Sequence, residues 1–127
     1  MNEFSLSDAV NLYYKQVDIS HKLWTYLQVV AGAAATLATA YHDVKTLLIV
    51  IFIGFTLFAV VNCYLLCLTQ RDASKTGAAI RTAWPEPSEW STILPAFDFW
   101  GRSQVVVLHV IIDIVVLSLV VVQWWRC

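Results

Sequence analysis

The chain has 127 residues and a formal net charge of -1; 59% of its residues are hydrophobic and only 13% are charged. Soluble domains usually carry about 25% charged residues, so this composition excludes an ordinary water-exposed surface. The three cysteines predict no disulfide framework, since none of them falls in a predicted exposed loop.

The N-terminal segment, residues 1–22, predicts an amphipathic helix that continues into the first apolar run. Ser5 and Asp8 have the spacing of a capping box, with Asp in place of the usual Glu or Gln, and no Pro or Gly precedes Gly32. A helix from about Ser5 to Tyr41 would measure roughly 55 Å, which exceeds a bilayer core of about 30 Å. Two interpretations of the excess stay open: it lies on the membrane surface, or it forms a stalk packed on other subunits.

Residues 23–41 are the first of three predicted membrane spans and are rich in small side chains. Gly, Ala and Thr recur four residues apart, the pattern that lets helix backbones approach closely in lipid. These predicted packing residues are Ala31, Gly32, Ala35, Thr36 and Thr39. Together with the apolar stripe of the N-terminal segment, they predict a homo-oligomer.

Two further apolar runs predict the second and third spans, at residues 46–69 and 103–125. Each is long enough for a membrane helix, which takes roughly 20 residues, and too long for a buried strand. Buried helices of a soluble protein are the alternative, but three of them would leave no residues to cover their outer faces. The sequence therefore predicts an all-α integral membrane protein with three transmembrane helices, assembled as a homo-oligomeric bundle.

The basic residues lie mainly on one side of the predicted spans. Of the eight Lys and Arg residues, all but Lys45 and Arg126 belong to the N-terminal segment or to the connection at 70–102. Because Lys and Arg in short loops favour the cytoplasmic side, we expect the N-terminus and the connection in the cytoplasm and the C-terminus outside. The expected location is a bacterial inner membrane.

The main candidate functional residues are polar side chains inside the spans, where ionisable groups are costly and usually face protein or water. His109 and Asp113 lie four apart on the third span and share one face. Counted from the cytoplasmic edge, Gln28, Asn62 and His109 lie at a similar depth and predict a polar layer. Asp113 lies one turn deeper.

Two interpretations of these polar residues stay open. In the first, they form an interhelical clamp, and His109 pairs internally with Asp113. In the second, Asp113 lines a hydrated pore as an acidic ring that favours cations. His109 is then its pH-sensitive gating neighbour.

The connection at residues 70–102 is too long for a passive link and contains all three prolines. In one interpretation its aromatic side chains anchor it in the lipid headgroup region. In another, Trp side chains stack on a nucleotide or short oligonucleotide that gates the protein, and basic residues contact the phosphates. The candidate ligand-binding residues are Arg71, Lys75, Arg81, Trp84, Trp90 and Arg102. A partner protein is a further candidate for this segment.

No sequence motif predicts an enzyme, since the chain has no Gly-rich phosphate loop, nucleophile elbow or metal-binding His-Glu pair. Cys63 and Cys67 could join the His and Asp of the third span as zinc ligands, but their depths differ, and we expect no metal or cofactor. The expected function is a small homo-oligomeric channel, cation-permeable and ligand-gated, of the toxin or antiviral-defence type. The alternatives are a non-conducting membrane scaffold or accessory subunit that binds a partner protein, and a proton-coupled small transporter.

Overall fold

A computed structural model describes residues 5–83 and 102–126 of the chain. This part folds into three helices, α1 (Leu6–Ala40), α2 (Lys45–Ala83) and α3 (Arg102–Arg126), and contains no strand. All three are long and apolar enough to cross a membrane. The prediction of an all-α chain with three potential spans is therefore confirmed for the described residues.

Helix α1 begins where the Ser5–Asp8 spacing predicts, because the two residues form a complete capping box. The Ser5 hydroxyl oxygen accepts a hydrogen bond from the Asp8 backbone N–H at 3.2 Å, and an Asp8 carboxylate oxygen accepts from the Ser5 backbone N–H at 3.0 Å. The Ser5 hydroxyl also donates to that carboxylate. These hydrogen bonds lower the pKa of Asp8 below its ordinary value of 3.8, since they stabilise the charged form.

Helix α2 continues to Ala83, well beyond residue 69, where the sequence analysis ended the second span. The first part of the predicted 70–102 connection is therefore helical. The residues from 70 to 83 contain no proline, and their apolar positions continue the helical spacing of the span. Four of them are buried: Gln70, Ala73, Gly77 and Ile80.

One seam runs along most of α1 and α2, because buried residues on both helices recur every seven positions. This repeat keeps the same faces of two helices in contact, as in a coiled coil. On α1 the repeat comprises Tyr13, Ser20, Leu27 and Ala34; on α2 it comprises Ala59, Leu66, Ala73 and Ile80. Alternation of large and small side chains lets the two helices interdigitate closely.

The third helix covers only part of this seam, so the molecule has two regions. In the three-helix bundle, α3 adds Val116 and Val120 to a core of side chains from α1 and α2 that includes Ala38 and Phe55. In the two-helix extension, residues 6–20 of α1 pack on residues 70–83 of α2. The core of this extension consists of Ala9, Tyr13, Ala73 and Ile80.

The outer surfaces of the two regions differ in polarity. The bundle exposes large apolar side chains, including Val50, Leu57 and Val115, each about 60% exposed. The extension exposes charged residues, including Asp18, whose carboxylate oxygen lies 2.7 Å from the Nζ atom of Lys22. It also exposes a few apolar side chains, Leu12, Tyr14 and Ile19. An apolar outer surface suits lipid and a charged one suits water, so this pattern is the one that a membrane protein requires.

Candidate functional site

A chain of three polar side chains crosses the interface between α2 and α3 inside the bundle. His109 is fully buried. Its Nε2 atom lies 3.2 Å from Nδ2 of Asn62 on α2, and its Nδ1 atom lies 2.7 Å from Oδ2 of Asp113, one turn along α3. His109 and Asp113, which the sequence places on one helix face, are thus in direct contact.

These contacts determine which ring nitrogen of His109 carries the proton. The amide Nδ2 of Asn62 can only donate, so the His109 Nε2 atom that faces it must accept. The proton of the neutral imidazole is then on Nδ1, where it donates to the Asp113 carboxylate. In the neutral form of His109, the contacts with Asn62 and Asp113 therefore favour this tautomer, and they fix the orientation of the ring.

Asp113 is at the end of this series of hydrogen-bonded side chains, with Asn62 at the other end, and it faces a cavity. Its side chain is 18% exposed, and it lines a cavity of about 380 Å³ between α2 and α3, here called the Asp113 cleft. Among its other lining residues are Thr56, Cys63, Tyr64 and Cys67. The second carboxylate oxygen, Oδ1, is buried and has no hydrogen-bond partner among the described residues. It keeps its capacity to accept a hydrogen bond.

A second cavity, of about 510 Å³, lies on the α1 side of the bundle and is here called the polar groove. It is lined by Ser20, His21, Trp24, Thr25, Gln28, Gln70, Leu108 and Ile112. The buried Gln70 amide donates from Nε2 to the Ser20 hydroxyl oxygen at 3.1 Å, which joins α1 to α2. Gln70 Oε1 is buried without a partner among residues 5–83 and 102–126.

Trp24 separates the polar groove from His109. The indole lines the groove, and its ring centroid lies 6.1 Å from that of the His109 imidazole at an interplanar angle of 47°. The sequence pattern predicts Gln28, rather than Trp24, at the depth of His109. Gln28 is exposed and lines the groove one turn further along α1, so the polar contact that the structure shows joins Asn62 to His109.

Three residues of this region, Ser20, Trp24 and Gln70, were not among the sequence candidates for the site. The seven-residue repeat predicts that Ser20 is buried, because this residue lies seven positions from both Tyr13 and Leu27 on the same face of α1. Trp24 lies near the start of the predicted span at residues 23–41. Its contact with His109 depends on the axial offset between α1 and α3, which no repeat within one helix reveals.

The predicted packing residues of α1 fall on two faces of the helix. Ala31 is buried and Ala35 is half-buried, whereas Gly32, Thr36 and Thr39 are exposed. Nothing lies within 4 Å of a Cβ atom built on Gly32. The two threonine hydroxyls donate to backbone carbonyls of their own helix, Thr36 to Gly32 at 2.8 Å and Thr39 to Ala35 at 2.8 Å. Contacts within the chain use Ala34 and Ala38 instead, both buried.

The candidate ligand-binding residues are only partly described. Arg71 and Lys75 are exposed on α2 and lie four apart, and Arg81 is half-buried near the end of that helix. Trp84 and Trp90 lie outside the described residues. Arg102 is the first residue of α3, and its side chain is likewise outside them. The nucleotide and partner-protein hypotheses for this segment stay predictions.

The cysteines do not complete a metal site with the polar chain. Cys63 and Cys67 are half-buried and not disulfide-bonded, and both line the Asp113 cleft. Within residues 5–83 and 102–126, no three His, Cys, Asp or Glu side chains lie close enough together to hold a metal ion.

The chain matches no protein-family model, no curated protein and no solved structure. Its class therefore follows from its own fold and site. Across residues 5–83 and 102–126 it is an all-helical protein with three helices of membrane-spanning length and apolar character. A buried Asn–His–Asp chain lies between two cavities inside its three-helix bundle.

Proposed function

We propose that this protein is a small homo-oligomeric membrane channel that conducts cations, with Asp113 on the conducting face and His109 as its gating neighbour. The observation that carries the proposal is the position of Asp113. This carboxylate lies in the most apolar of the three helices, whose mean hydropathy reaches 3.1, and it lines the Asp113 cleft, which contains no Lys or Arg among the described residues.

The energetics of Asp113 support a hydrated path. A charged side chain at the centre of a membrane helix costs about 2.5 to 3.5 kcal/mol on insertion scales, and it normally faces protein or water. Neutral His109 stabilises one carboxylate oxygen but does not cancel the charge. In a symmetric oligomer the carboxylate would recur once per copy, which produces an acidic ring that attracts cations.

Two features of the surface support assembly from several copies. The Asp113 cleft is bounded by α2 and α3 alone, so a closed path along it requires side chains from another protomer. The exposed face of α1 that contains Gly32, Thr36 and Thr39 is smooth, and the Thr hydroxyls are satisfied within the helix. Such a face lets a second helix approach closely in lipid.

The proposed orientation places the two-helix extension in the cytoplasm, in a bacterial inner membrane. The extension carries Lys15 and Arg71 among its exposed residues, and the opposite end of the bundle carries only Lys45 and Arg126. This asymmetry favours a cytoplasmic extension. Exposed Arg71 and Lys75 then lie where a soluble anionic gating ligand, such as a nucleotide or oligonucleotide, could reach them.

The test is a planar-bilayer recording of the purified protein beside its Asp113→Asn variant, which keeps the shape of the side chain but removes its charge. We expect discrete cation currents from the unaltered protein. In the variant the cation-to-anion permeability ratio should fall on the order of tenfold, equivalent to about 1.4 kcal/mol of lost selectivity.

The matched control is Asp72→Asn, which removes an exposed carboxylate from the extension and should leave the permeability ratio unchanged. An unaltered permeability ratio in Asp113→Asn would show that Asp113 does not lie on the conducting face. A stable oligomer without currents would favour the alternative of a non-conducting scaffold.

A further inference from the structure

The two cavities share no lining residue, and on α3 the residues next to His109 belong to different cavities: Leu108 lines the polar groove and Val110 lines the Asp113 cleft. Two consecutive residues of α3 line different cavities: Ile112 lines the polar groove, and Asp113 lines the Asp113 cleft. His109 itself is fully buried and lines neither cavity. Within one protomer, its ring therefore fills the space between two openings.

This arrangement restricts what can pass from one cavity to the other. A hydrated metal cation needs a continuous opening, whereas a proton needs only a series of hydrogen-bonding groups that exchange it. His109 is such a group, because one ring nitrogen accepts while the other donates. Its donating nitrogen already faces Asp113 at 2.7 Å.

We propose that the permeant ion of the proposed channel is the proton, which crosses each protomer from the polar groove to the Asp113 cleft through His109. This inference rests on the proposed function and narrows its ion selectivity. It identifies Trp24 as the side chain that closes the path on the groove side.

The transfer conserves one proton and one charge. A proton from the groove binds His109 Nε2 and forms an imidazolium beside the Asp113 carboxylate. The proton on Nδ1 then moves to Asp113 Oδ2, which leaves a neutral imidazole with its proton on Nε2 and a neutral carboxylic acid. Asp113 releases its proton to the cleft. The imidazole then turns so that the protonated Nε2 faces Asp113 and Nδ1 faces the groove, a second proton crosses in the same direction, and the reverse turn restores the starting tautomer.

Asn62 and Trp24 control entry to this path. A protonated Nε2 can no longer accept from the Asn62 amide, so Asn62 must rotate to present its oxygen. The Trp24 indole can only donate a hydrogen bond, so it cannot pass a proton to His109. A proton reaches Nε2 only when the indole moves aside.

The other titratable groups near the path do not interrupt it. On α1, His21 lines the polar groove; on α2, Cys63, Tyr64 and Cys67 line the Asp113 cleft; on α3, Asp113 is the only one that lines either cavity. Within the described residues, no Lys or Arg lines either cavity, so no fixed positive charge opposes proton entry.

The experiment measures proton and K⁺ flux in parallel in liposomes that contain the purified full-length protein. An internal pH-sensitive dye reports protons, and a K⁺-sensitive dye reports K⁺. We expect proton flux without matching K⁺ flux. His109→Gln, which keeps hydrogen-bonding capacity but cannot exchange a proton, should lower the proton flux about tenfold or more.

Trp24→Ala provides a second test that leaves His109 intact, and it also applies if His109→Gln does not fold. Loss of the indole should raise the proton flux several-fold. The matched controls are Trp125→Ala, which removes an indole that is 83% exposed at the other end of the bundle, and His42→Gln, an exposed histidine outside the helices. Neither should change the flux.

The outcomes separate this inference from the proposed function. K⁺ flux that depends on Asp113, together with proton flux unaffected by His109→Gln and Trp24→Ala, would overturn the proton path and leave the cation channel standing. No flux of either ion in the unaltered protein would overturn both. Selective proton flux that falls in His109→Gln and rises in Trp24→Ala would support both.

Discussion

The three-helix bundle and the two-helix extension share one continuous α1–α2 seam but differ in the polarity of their outer surfaces. In the extension, Tyr13 and Ile80 are buried under an exterior that includes charged residues. In the bundle, Leu27 and Leu66 are equally buried, but the exterior is as apolar as the core. If the bundle lies in lipid, as proposed, the same seven-residue repeat operates in two solvents, and the source of its stability differs between them.

The polar contacts between helices belong to the bundle and to its junction with the extension. The Asn62–His109–Asp113 chain lies within the bundle, and the Ser20–Gln70 contact marks the junction. Lipid removes the hydrophobic driving force between helices, so a bundle in lipid depends on close packing and hydrogen bonds. An extension in water can depend on apolar burial alone. The Asn62–His109–Asp113 contacts therefore lie where the exterior is apolar, and the Ser20–Gln70 contact lies at the edge of the extension.

The largest predicted effect is a difference in lost stability between two side-chain truncations, one in each region. Ile80→Ala should destabilise the extension by about 2 to 5 kcal/mol, because it loses both apolar burial and packing. Leu48→Ala, at a position 1% exposed in the bundle, should cost less in lipid because only the packing is lost. Hydrogen exchange of α1 in nanodiscs would measure both. Equal losses at the two sites would contradict the assignment of different surroundings.

A second prediction examines the outer surface of the bundle. Gly32→Leu should weaken self-association on the order of tenfold, or about 1.4 kcal/mol, because the added side chain blocks the smooth face of α1. Gly54→Leu is its matched control, since a Cβ atom on either glycine has nothing within 4 Å but Gly54 has no comparable small-residue face. Association is measured by energy transfer between labelled copies in liposomes. Equal effects of the two substitutions would exclude this face as the interface.

The smallest predicted effect concerns the start of the extension. The pKa of Asp8 is lowered in the folded chain by its hydrogen bonds to Ser5. The contribution of the capping box is therefore fully present above the ordinary pKa of about 3.8 and is lost as the pH falls through the lowered value. Hydrogen exchange in the first turn of α1 should accelerate on acidification over that range. The Asp8→Asn variant should lack this pH dependence; if it retained the dependence, another group would be responsible.

Most of the secondary structure follows from local sequence patterns. The capping box predicts the start of α1, and the apolar runs predict three helices of membrane-spanning length. The i, i+4 spacing of His109 and Asp113 places them on one face. Each of these inferences uses only residues close together in the chain, whose geometry within a helix is fixed at 3.6 residues per turn.

The sequence by itself determined the three predicted spans, their apolar character and the placement of His109 and Asp113 on one helix face. The continuation of α2 beyond residue 69 is also local, since residues 70 to 83 contain no proline and keep the helical spacing. Only the tertiary structure decided that Trp24, and not Gln28, meets His109, and that Gly32 faces outward while Ala34 faces the core. The physical reason is that a periodic pattern describes one helix about its own axis. The rotation and axial offset between helices depend on packing summed over all the contacts of the seam.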